Sequence, residues 1–386
     1  MLSRLYPGLA GALLACTVGT LSQALAAGPD QSAKVRQVID EAITPVIEQY
    51  GIPGMAVAVT IDGQRHFVDF GLASKDPRVP ITRDTLFELG SISKTFTATL
   101  ATLAEVEGKL SLNDSVSRHM PDLKGGALDK VRLLDLATHT AGGFPLQLPE
   151  GVKDEKQLIA YFRAWKPKAA PGTQRSYANP SIGLLGMVTA RAMGGRFASL
   201  AQDLFRDLGL NRTYVDVPAG EMKSYAWGYN RADKPVRVSR APLADEAYGV
   251  KSNAVDMIRF LEVNMGVAPV PEKLARAVSA TRTGYFRSGG MIQDLIWEQY
   301  PYPVALDTFI AGNTMNQKAH PATAIDPPMA PRQDVIVNKT GSTNGFGAYV
   351  AFVPDRRIGI VMLANKAYPN EARVKAAHQV ISRLAE

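Results

Sequence analysis

Residues 87–94 read Phe-Glu-Leu-Gly-Ser-Ile-Ser-Lys, and they join an apolar stretch to the start of a helical pattern. Ser91 and Lys94 are three residues apart, so on a helix they share a face and Lys94 lies beneath the Ser91 side chain. A serine hydroxyl becomes a good nucleophile when a neighbouring group takes its proton, and a partly buried amine can do so. Gly90 permits a tight entry into the helix. The stretch therefore predicts a reactive serine at a strand-to-helix transition.

This motif needs support from the rest of the chain. About one Ser-x-x-Lys is expected by chance in a protein of this length, although only one is present here. The alternative interpretation is that Ser91 caps a helix and Lys94 is solvated. At a helix start, the Ser91 backbone N–H would also lie where it could stabilise an oxyanion.

A second candidate motif is Ser176-Tyr177-Ala178-Asn179-Pro180, in a loop before a predicted helix. A tyrosine close to two ammonium groups would have its phenolate favoured, which makes Tyr177 a second base or a proton shuttle. Asn179 could donate to a substrate carbonyl and accept a hydrogen bond from Lys94. The alternative is a core tyrosine followed by a turn-forming Asn-Pro.

The third motif is Lys339-Thr340-Gly341-Ser342, at the end of a predicted strand. Gly341 has no side chain, so a ligand can approach the backbone there. The Ser342 N–H could then be a second oxyanion donor, while Lys339 and Thr340 could bind a carboxylate. Alternatively, Lys339 is a lysine on an edge strand that discourages aggregation. A chance Lys-Thr-Gly is expected in only about one chain in ten of this size, so this is the strongest single motif.

Apolar periodicity predicts strands near both termini and helices between them. A turn at Asp62-Gly63 predicts a hairpin, and Ser32 is a candidate helix cap. The fold class expected is α/β (α+β), with one antiparallel sheet built from both terminal segments, flanking helices and a mostly helical lobe. Residues 285–331 are rich in proline and receive no assignment. The predicted strands are 55–61, 66–70, 334–340, 346–352 and 358–363, and the helices are 35–47, 133–137, 182–192, 200–208, 256–265 and 371–384.

The first 26 residues have the pattern of a secretory signal peptide. Arg4 precedes an apolar stretch over residues 9–21, and Ala24-Leu25-Ala26 supplies small residues for cleavage after Ala26. The periplasm is therefore the expected location. An alternative is a lipoprotein signal at Cys16. Residues 27–386 are expected to form a single domain, with an α/β lobe over about 27–90 and 205–386 and a helical lobe over about 91–204.

Composition narrows the classes of function. The chain is 46% hydrophobic and 20% charged, as in ordinary globular proteins, and the net charge of +7 includes no basic block typical of nucleic-acid binding. Cys16 is the only cysteine, so cleavage after Ala26 leaves none for disulfides or thiolate metal sites. No later segment is long and apolar enough to span a membrane. The histidines lack metal-ligand spacing, so we expect structural or surface roles for His66, His119, His139, His320 and His378.

Together the three motifs have the order and spacing seen in the serine β-lactamase and penicillin-binding protein superfamily, which the chain resembles. Further stretches resemble the class C β-lactamases, and the similarity extends over essentially the whole chain after residue 26. These stretches are residues 87–91, Thr140-Ala141-Gly142-Gly143, Leu146-Gln147, Tyr177-Ala178-Asn179, Tyr248-Gly249-Val250-Lys251, Leu363-Ala364-Asn365-Lys366, and Asn370 with Arg373.

The resemblance implies a monomeric enzyme without cofactor or metal that confers antibiotic resistance. It would open the β-lactam amide of cephalosporins and penicillins through an acyl-enzyme on Ser91. Lys94 and Tyr177 would be the proton-transfer pair, in an order left open, with Lys339 among the catalytic groups. The Ser91 and Ser342 amides would form the oxyanion hole. The substrate contacts implied are Gln147 and Asn179 for the side-chain amide, Tyr248 as a wall of the side-chain pocket, Lys339, Thr340 and Asn370 for the carboxylate, and Gly341 for close approach.

Some residues depart from the class C pattern. Asp294-Leu295-Ile296-Trp297-Glu298 stands where the family usually has Gly-Leu-Gly-Trp-Glu, and Ala367 replaces a frequent asparagine. Other functions on the same scaffold are a D,D-peptidase, a serine esterase or a penicillin-binding sensor. Peptidases with a Tyr-x-Asn element often carry His-Thr-Gly as the third motif, so Lys339 favours the lactamase.

Overall fold

The computed structural model describes residues 29–315 and 318–385. The predicted signal peptide, its cleavage after Ala26 and the alternative at Cys16 lie outside these residues. Within them, no helix combines the length and apolar character required to cross a bilayer. The helices are α1 (Pro29–Tyr50), α2 (Ser93–Val106), α3 (Val116–His119), α4 (Leu133–Ala137), α5 (Glu155–Ala164), α6 (Asn179–Ala192), α7 (Phe197–Asp207), α8 (Ala244–Ala247), α9 (Ala254–Asn264), α10 (Glu272–Ala280), α11 (Leu306–Thr314) and α12 (Asn370–Leu384).

The strands lie mostly in the two terminal thirds of the chain. In chain order they are β1 (Gly54–Ile61), β2 (Gln64–Lys75), β3 (Arg78–Pro80), β4 (Phe87–Glu88), β5 (Gln174–Arg175), β6 (Gly228–Tyr229), β7 (Pro235–Val236), β8 (Lys251–Ser252), β9 (Gly284–Ser288), β10 (Met291–Gln293), β11 (Glu298–Pro301), β12 (His320–Pro321), β13 (Thr323–Met329), β14 (Val335–Ser342), β15 (Gly347–Val353) and β16 (Ile358–Ala364).

The main sheet combines strands from both ends of the chain, as predicted. Within the described residues it has ten strands in the order β13-β9-β10-β11-β14-β15-β16-β1-β2-β3, and its neighbours pair antiparallel. The β1–β2 hairpin turns at Asp62 and Gly63, both with positive φ, as the Asp-Gly signal predicts. Strand β16 pairs with β1 along its whole length, which closes the two ends of the chain into one sheet.

Helices cover both faces of the main sheet. Alternate residues of a strand point to opposite sides, so each central strand contributes to the packing on both faces. In β1, Met55, Val57 and Val59 pack among the residues of α1 and α12. Ala56 and Ala58 pack on the other side, with α2, α7 and α9. A third apolar cluster joins α4, α5 and α6 in the helical part of the molecule. The central strands are thus buried on both faces, which fixes their register.

Two expectations from the sequence were wrong or incomplete. Ser32 does not cap the first helix, because α1 already begins at Pro29. Residues 285–331, which received no assignment, contain most of β9 together with β10, β11, α11, β12 and β13. Several of these strands have only two to four residues, so they are too short for a period-two pattern to emerge.

Candidate active site

Gly90 and Gly341 allow two backbone segments to meet at the candidate nucleophile. Gly90 has a φ of +53° and begins a short 3₁₀ turn, Gly90–Ile92, that leads into α2. A β-carbon on Gly90 would lie less than 3.0 Å from the Ser342 backbone, and one on Gly341 would collide with the Leu89 carbonyl oxygen. The contact therefore requires glycine on both segments, and it places the Ser91 backbone beside the end of β14.

Lys94 lies beneath Ser91, as their spacing on the helix predicts. Its side chain is fully buried, and its Nζ donates to Ser91 Oγ at 2.9 Å and to the Ala247 carbonyl oxygen at 2.7 Å. Burial lowers the pKa of Lys94 to about 8, with the charge of Lys339 acting in the same direction and Tyr177 opposing it. A useful fraction of Lys94 is therefore neutral near pH 7, in the form that can accept a proton.

Tyr177 lies between β5 and α6 with two ammonium groups near its ring. The Nζ atoms of Lys94 and Lys339 lie 5.3 Å and 5.0 Å from the ring centroid. Burial alone raises the pKa of the phenol, but the charges of Lys339 and Lys94 outweigh it and bring the pKa down to about 8. The predicted environment of two ammonium groups is therefore present, and Tyr177 can exchange a proton near neutral pH.

Lys339 is not an edge-strand lysine. Strand β14 lies between β11 and β15, and the Lys339 side chain is completely buried. Its Nζ donates to the Thr340 carbonyl oxygen at 3.2 Å. The interpretation of Lys339 as protection against aggregation is therefore excluded, because that role requires an exposed strand edge.

The candidate residues meet around a cavity of about 530 Å³. Lys94 and Lys339 do not line it, because both lie beneath its surface. The cavity wall also contains residues to which the sequence assigned no role, namely Leu146, Val238, Thr343 and Asn344. The candidate residues in its wall are Ser91, Gln147, Tyr177, Asn179, Tyr248, Thr340, Gly341, Ser342 and Asn370.

A larger groove of about 1120 Å³ adjoins this cavity. It shares Gln147, Asn179 and Tyr248 with the smaller cavity but does not include Ser91. Since the groove lacks the nucleophile, we place the chemistry in the 530 Å³ cavity. The groove is an extension that starts from the side of Gln147 and Tyr248.

One predicted hydrogen bond is wrong. Asn179 was predicted to accept a hydrogen bond from Lys94, but Lys94 Nζ donates to Ser91 and Ala247 instead. Asn179 Nδ2 donates to Gln147 Oε1 at 2.8 Å, and the buried Asn179 Oδ1 has no hydrogen-bond partner. Ala247 ends α8, and the position of this helix brings its carbonyl oxygen to Lys94 Nζ as the hydrogen-bond acceptor. Asn179 thereby keeps an acceptor beside the cavity.

The floor of the site is held by Arg373, to which the sequence assigned no role, together with the predicted carboxylate contact Asn370. Arg373 on α12 is buried, and its guanidinium donates to the carbonyl oxygens of Gly341 and Ala348 at 2.7 Å and 3.2 Å. Asn370 begins the same helix, and its Nδ2 donates to the Asn313 carbonyl oxygen at 3.2 Å. Helix α12 thus fixes the end of β14 and brings Asn370 to the cavity. Isolated arginines carry no sequence signal for such a role.

The residues that depart from the class C pattern lie outside the cavity wall. Asp294 is buried and accepts a hydrogen bond from Gln299 Nε2 at 2.8 Å. Ile296 has a φ of +70°, and its N–H donates to the Ala137 carbonyl oxygen at 3.1 Å. Ala367 is exposed. Within the described residues, no group of histidine, cysteine, aspartate and glutamate side chains is arranged to hold a metal ion.

Known proteins resemble this chain over nearly its whole length. The β-lactamase family model matches residues 39–385. A β-lactamase of Pseudomonas fluorescens is 48% identical over 353 residues, which are 91% of this chain and 99% of the relative. A solved class C β-lactamase in complex with cefoxitin has a TM-score of 0.90 at 47% identity, covering 92% of this chain and 99% of that chain. A solved β-lactamase/D-alanine carboxypeptidase from Pseudomonas syringae has a TM-score of 0.89 at 51% identity, and the match covers 90% of this chain and 99% of that chain.

Proposed function

The chain belongs to the β-lactamase family and is a serine β-lactamase of class C type; from this premise we propose how its own residues divide the reaction. Ser91 is the nucleophile that opens the β-lactam amide of cephalosporins and penicillins. The observation that carries this assignment is the 2.9 Å hydrogen bond from the buried Lys94 Nζ to Ser91 Oγ, because Ser91 lines the cavity and Lys94 lies directly beneath it. Hydrolysis of these antibiotics would confer resistance on the cell.

Acylation begins when Ser91 Oγ attacks the lactam carbonyl carbon and its proton passes to Lys94 or Tyr177. Both groups have a pKa of about 8, so either can take the proton near neutral pH. The carbonyl oxygen becomes negative and is stabilised by the Ser91 and Ser342 backbone N–H groups. When the carbonyl re-forms, the C–N bond breaks and the ring nitrogen receives the proton.

Deacylation uses the same groups in reverse. A water molecule attacks the ester carbon and gives one proton to Tyr177 or Lys94. This proton then passes to Ser91 Oγ as the ester C–O bond breaks, so that Ser91 leaves as a hydroxyl and the product as a carboxylic acid. Lys339, buried with its Nζ 5.0 Å from the Tyr177 ring centroid, keeps the phenolate available. No glutamate is required in this scheme, because Tyr177 occupies the position from which a proton can be exchanged.

Substrate contacts follow from the residues in the cavity wall. Gln147 and Asn179 form a hydrogen-bonded pair and hold the antibiotic's side-chain amide, with Tyr248 as the wall of that pocket. Thr340 and Asn370 face the substrate carboxylate, with the charge of Lys339 behind them. Gly341 lines the cavity, but the space left by its missing side chain holds the Leu89 carbonyl oxygen and not, as predicted, a close approach of the substrate. The solved relative in complex with cefoxitin supports a cephalosporin as substrate.

A second activity is a D-alanine carboxypeptidase, which uses the same acyl-enzyme chemistry on a peptide. The observation in its favour is the neighbour from Pseudomonas syringae, described as β-lactamase/D-alanine carboxypeptidase. The larger groove beside Gln147 and Tyr248 provides room for a peptide. Both activities would depend on Ser91.

The chain acts as a monomer in the periplasm after removal of residues 1–26. Its mature part, residues 27–386, is one domain with an α/β lobe over about 27–90 and 205–386 and a helical lobe over about 91–204. The single domain is supported by the cavity, because its wall combines residues of both lobes. These are Ser91, Tyr177 and Asn179 of the helical lobe and Thr340 and Asn370 of the α/β lobe.

The test is to express the full chain with its own N-terminal segment, purify the exported protein and measure its mass. Turnover of many equivalents of a chromogenic cephalosporin is expected, abolished in Ser91→Ala and unchanged in Ser199→Ala, an exposed serine on α7. A single burst followed by a stable adduct on Ser91 would overturn the lactamase mechanism. Release of D-alanine from a D-Ala-D-Ala peptide would establish the second activity.

A further inference from the structure

His139 is a buried histidine that lies against the candidate proton-transfer residue. It follows α4, has a φ of +60° and is only 2% exposed. Its ring centroid is 4.3 Å from that of Tyr177, with an angle of 42° between the two planes. A positive φ is uncommon outside glycine, so this conformation is maintained by the surrounding structure.

Two hydrogen bonds from the same residue hold the backbone on both sides of Tyr177. The His139 carbonyl oxygen accepts from the Ser176 N–H at 2.8 Å, and His139 Nδ1 accepts from the Ala178 N–H at 3.3 Å. Residues 176 and 178 flank Tyr177 directly, so His139 brackets it. The ring contact then restricts the phenol itself.

The hydrogen bond from the Ala178 N–H to His139 Nδ1 requires a neutral imidazole. Nδ1 can accept from Ala178 only when it carries no proton, which leaves the proton on Nε2. Burial and the charges of Arg175, Lys94 and Lys339 all hold the pKa of His139 well below its usual range. Nε2 is buried without a hydrogen-bond partner, so the ring is held by its Nδ1 side and its face. These features are more than filling of the core requires.

We propose that His139 is a positioning residue of the reaction, which holds the Tyr177 phenol at its short distance from Lys94 and Lys339. This inference rests on the proposed role of Tyr177 in proton transfer. His139 itself does not line the cavity, but it packs against Tyr177, which does, so it acts through Tyr177. The charged groups around the phenol are Lys94, Lys339, Arg175 and Glu298, and the position of the ring sets how strongly each acts on it.

The first readout is the ionisation of Tyr177, followed as tyrosinate absorbance in the intact protein without substrate. The wild type should show a step near pH 8 that Tyr177→Phe lacks. In His139→Ala the phenol is free to move away from the ammonium groups. The step should therefore occur at higher pH, at a proton concentration at least about tenfold lower, closer to the usual pKa of tyrosine. A step that stays in place in His139→Ala would overturn the proposal.

The second readout is turnover of a chromogenic cephalosporin. His139→Ala should lower kcat at least about tenfold, with the acid limb of its pH profile moved to higher pH and KM within about threefold. His139→Asn should restore most of kcat, because Asn Oδ1 can accept from Ala178 and asparagine tolerates a positive φ. Equal loss in both variants would show that the acceptor is not what matters, and would also overturn the proposal.

Controls separate folding from positioning. His139→Phe keeps the ring volume without the acceptor, and it carries the test if the alanine variant does not fold. His119→Ala removes a histidine that pairs with Asp114 away from the site, and it should change neither readout. If wild type shows the tyrosinate step but no lactam turnover, the proposed function fails while the positioning of Tyr177 is still measured.

Discussion

Gly90 lies so close to Ser342 that a β-carbon on the glycine would stand less than 3.0 Å from the Ser342 backbone nitrogen. The two residues belong to segments more than 250 positions apart in the chain, and their contact joins the nucleophile turn to the end of β14. The spacing of the two proposed oxyanion donors depends on it.

Gly90→Ala should lower kcat/KM by about 10²-fold, because a displacement of the turn misplaces Ser91 relative to the Ser342 amide. The matched control is Gly108→Ala. Gly108 also has a positive φ, of +69°, but nothing lies within 4 Å of an added β-carbon. The control should lose roughly 1 kcal/mol of stability and keep its activity. Equal activity of the two variants would contradict the role assigned to the contact.

Acylation should slow as the pH falls below about 8. Lys94 and Tyr177 both have a pKa of about 8, and each accepts a proton only in its deprotonated form. The value of kcat/KM should therefore rise with pH and level off above about pH 8. In Tyr177→Phe the limb should move to lower pH, because the phenolate no longer favours the charged lysine. A flat profile from about pH 5 to about pH 10 would contradict both assignments.

Glu298→Gln should strongly destabilise the protein. Glu298 Oε1 accepts from Arg175 Nη2 at 2.8 Å, and both side chains are completely buried. Removing one charge of a buried pair costs about 3–5 kcal/mol, since Arg175 then keeps its buried charge without this carboxylate. Urea unfolding measures the loss, with Asp203→Asn of the exposed Arg206–Asp203 pair as a control expected to change nothing. Unchanged stability in Glu298→Gln would mean that other groups compensate Arg175.

Gln147→Ala should weaken binding only of substrates that carry a side-chain amide. The variant removes the partner of Asn179 Nδ2 in the cavity wall. KM for a cephalosporin with an acylated amine should rise about tenfold, which corresponds to one lost hydrogen bond of about 1.4 kcal/mol. A cephalosporin with a free amine should be turned over as by the wild type. A similar rise for both substrates would place Gln147 outside the side-chain pocket.

The sequence predicts the outline of this fold well where a periodic pattern is long. The first hairpin strand and the strands of the C-terminal meander lie within two residues of their predicted bounds, and α4 has the bounds predicted. The second hairpin strand, β2, continues to Lys75, beyond its predicted end at residue 70. Short buried strands such as β10 and β11 were missed, because three or four residues do not show whether they alternate. The start of α1 was misplaced, since the serine taken as its cap lies within the helix.

The sequence by itself determined the chemical groups of the site, because their spacing along short segments is local. A spacing of three positions within one helical turn places Lys94 beneath Ser91, and this depends little on the rest of the fold. Only the tertiary structure decided which partners these groups have. It buries Lys339 in the middle of the sheet, makes the Ala247 carbonyl rather than Asn179 a hydrogen-bond acceptor of Lys94, and sets His139 against Tyr177. Hydrogen-bond partners and pKa values depend on contacts between residues that are far apart in the chain, and these contacts follow from packing of the whole chain.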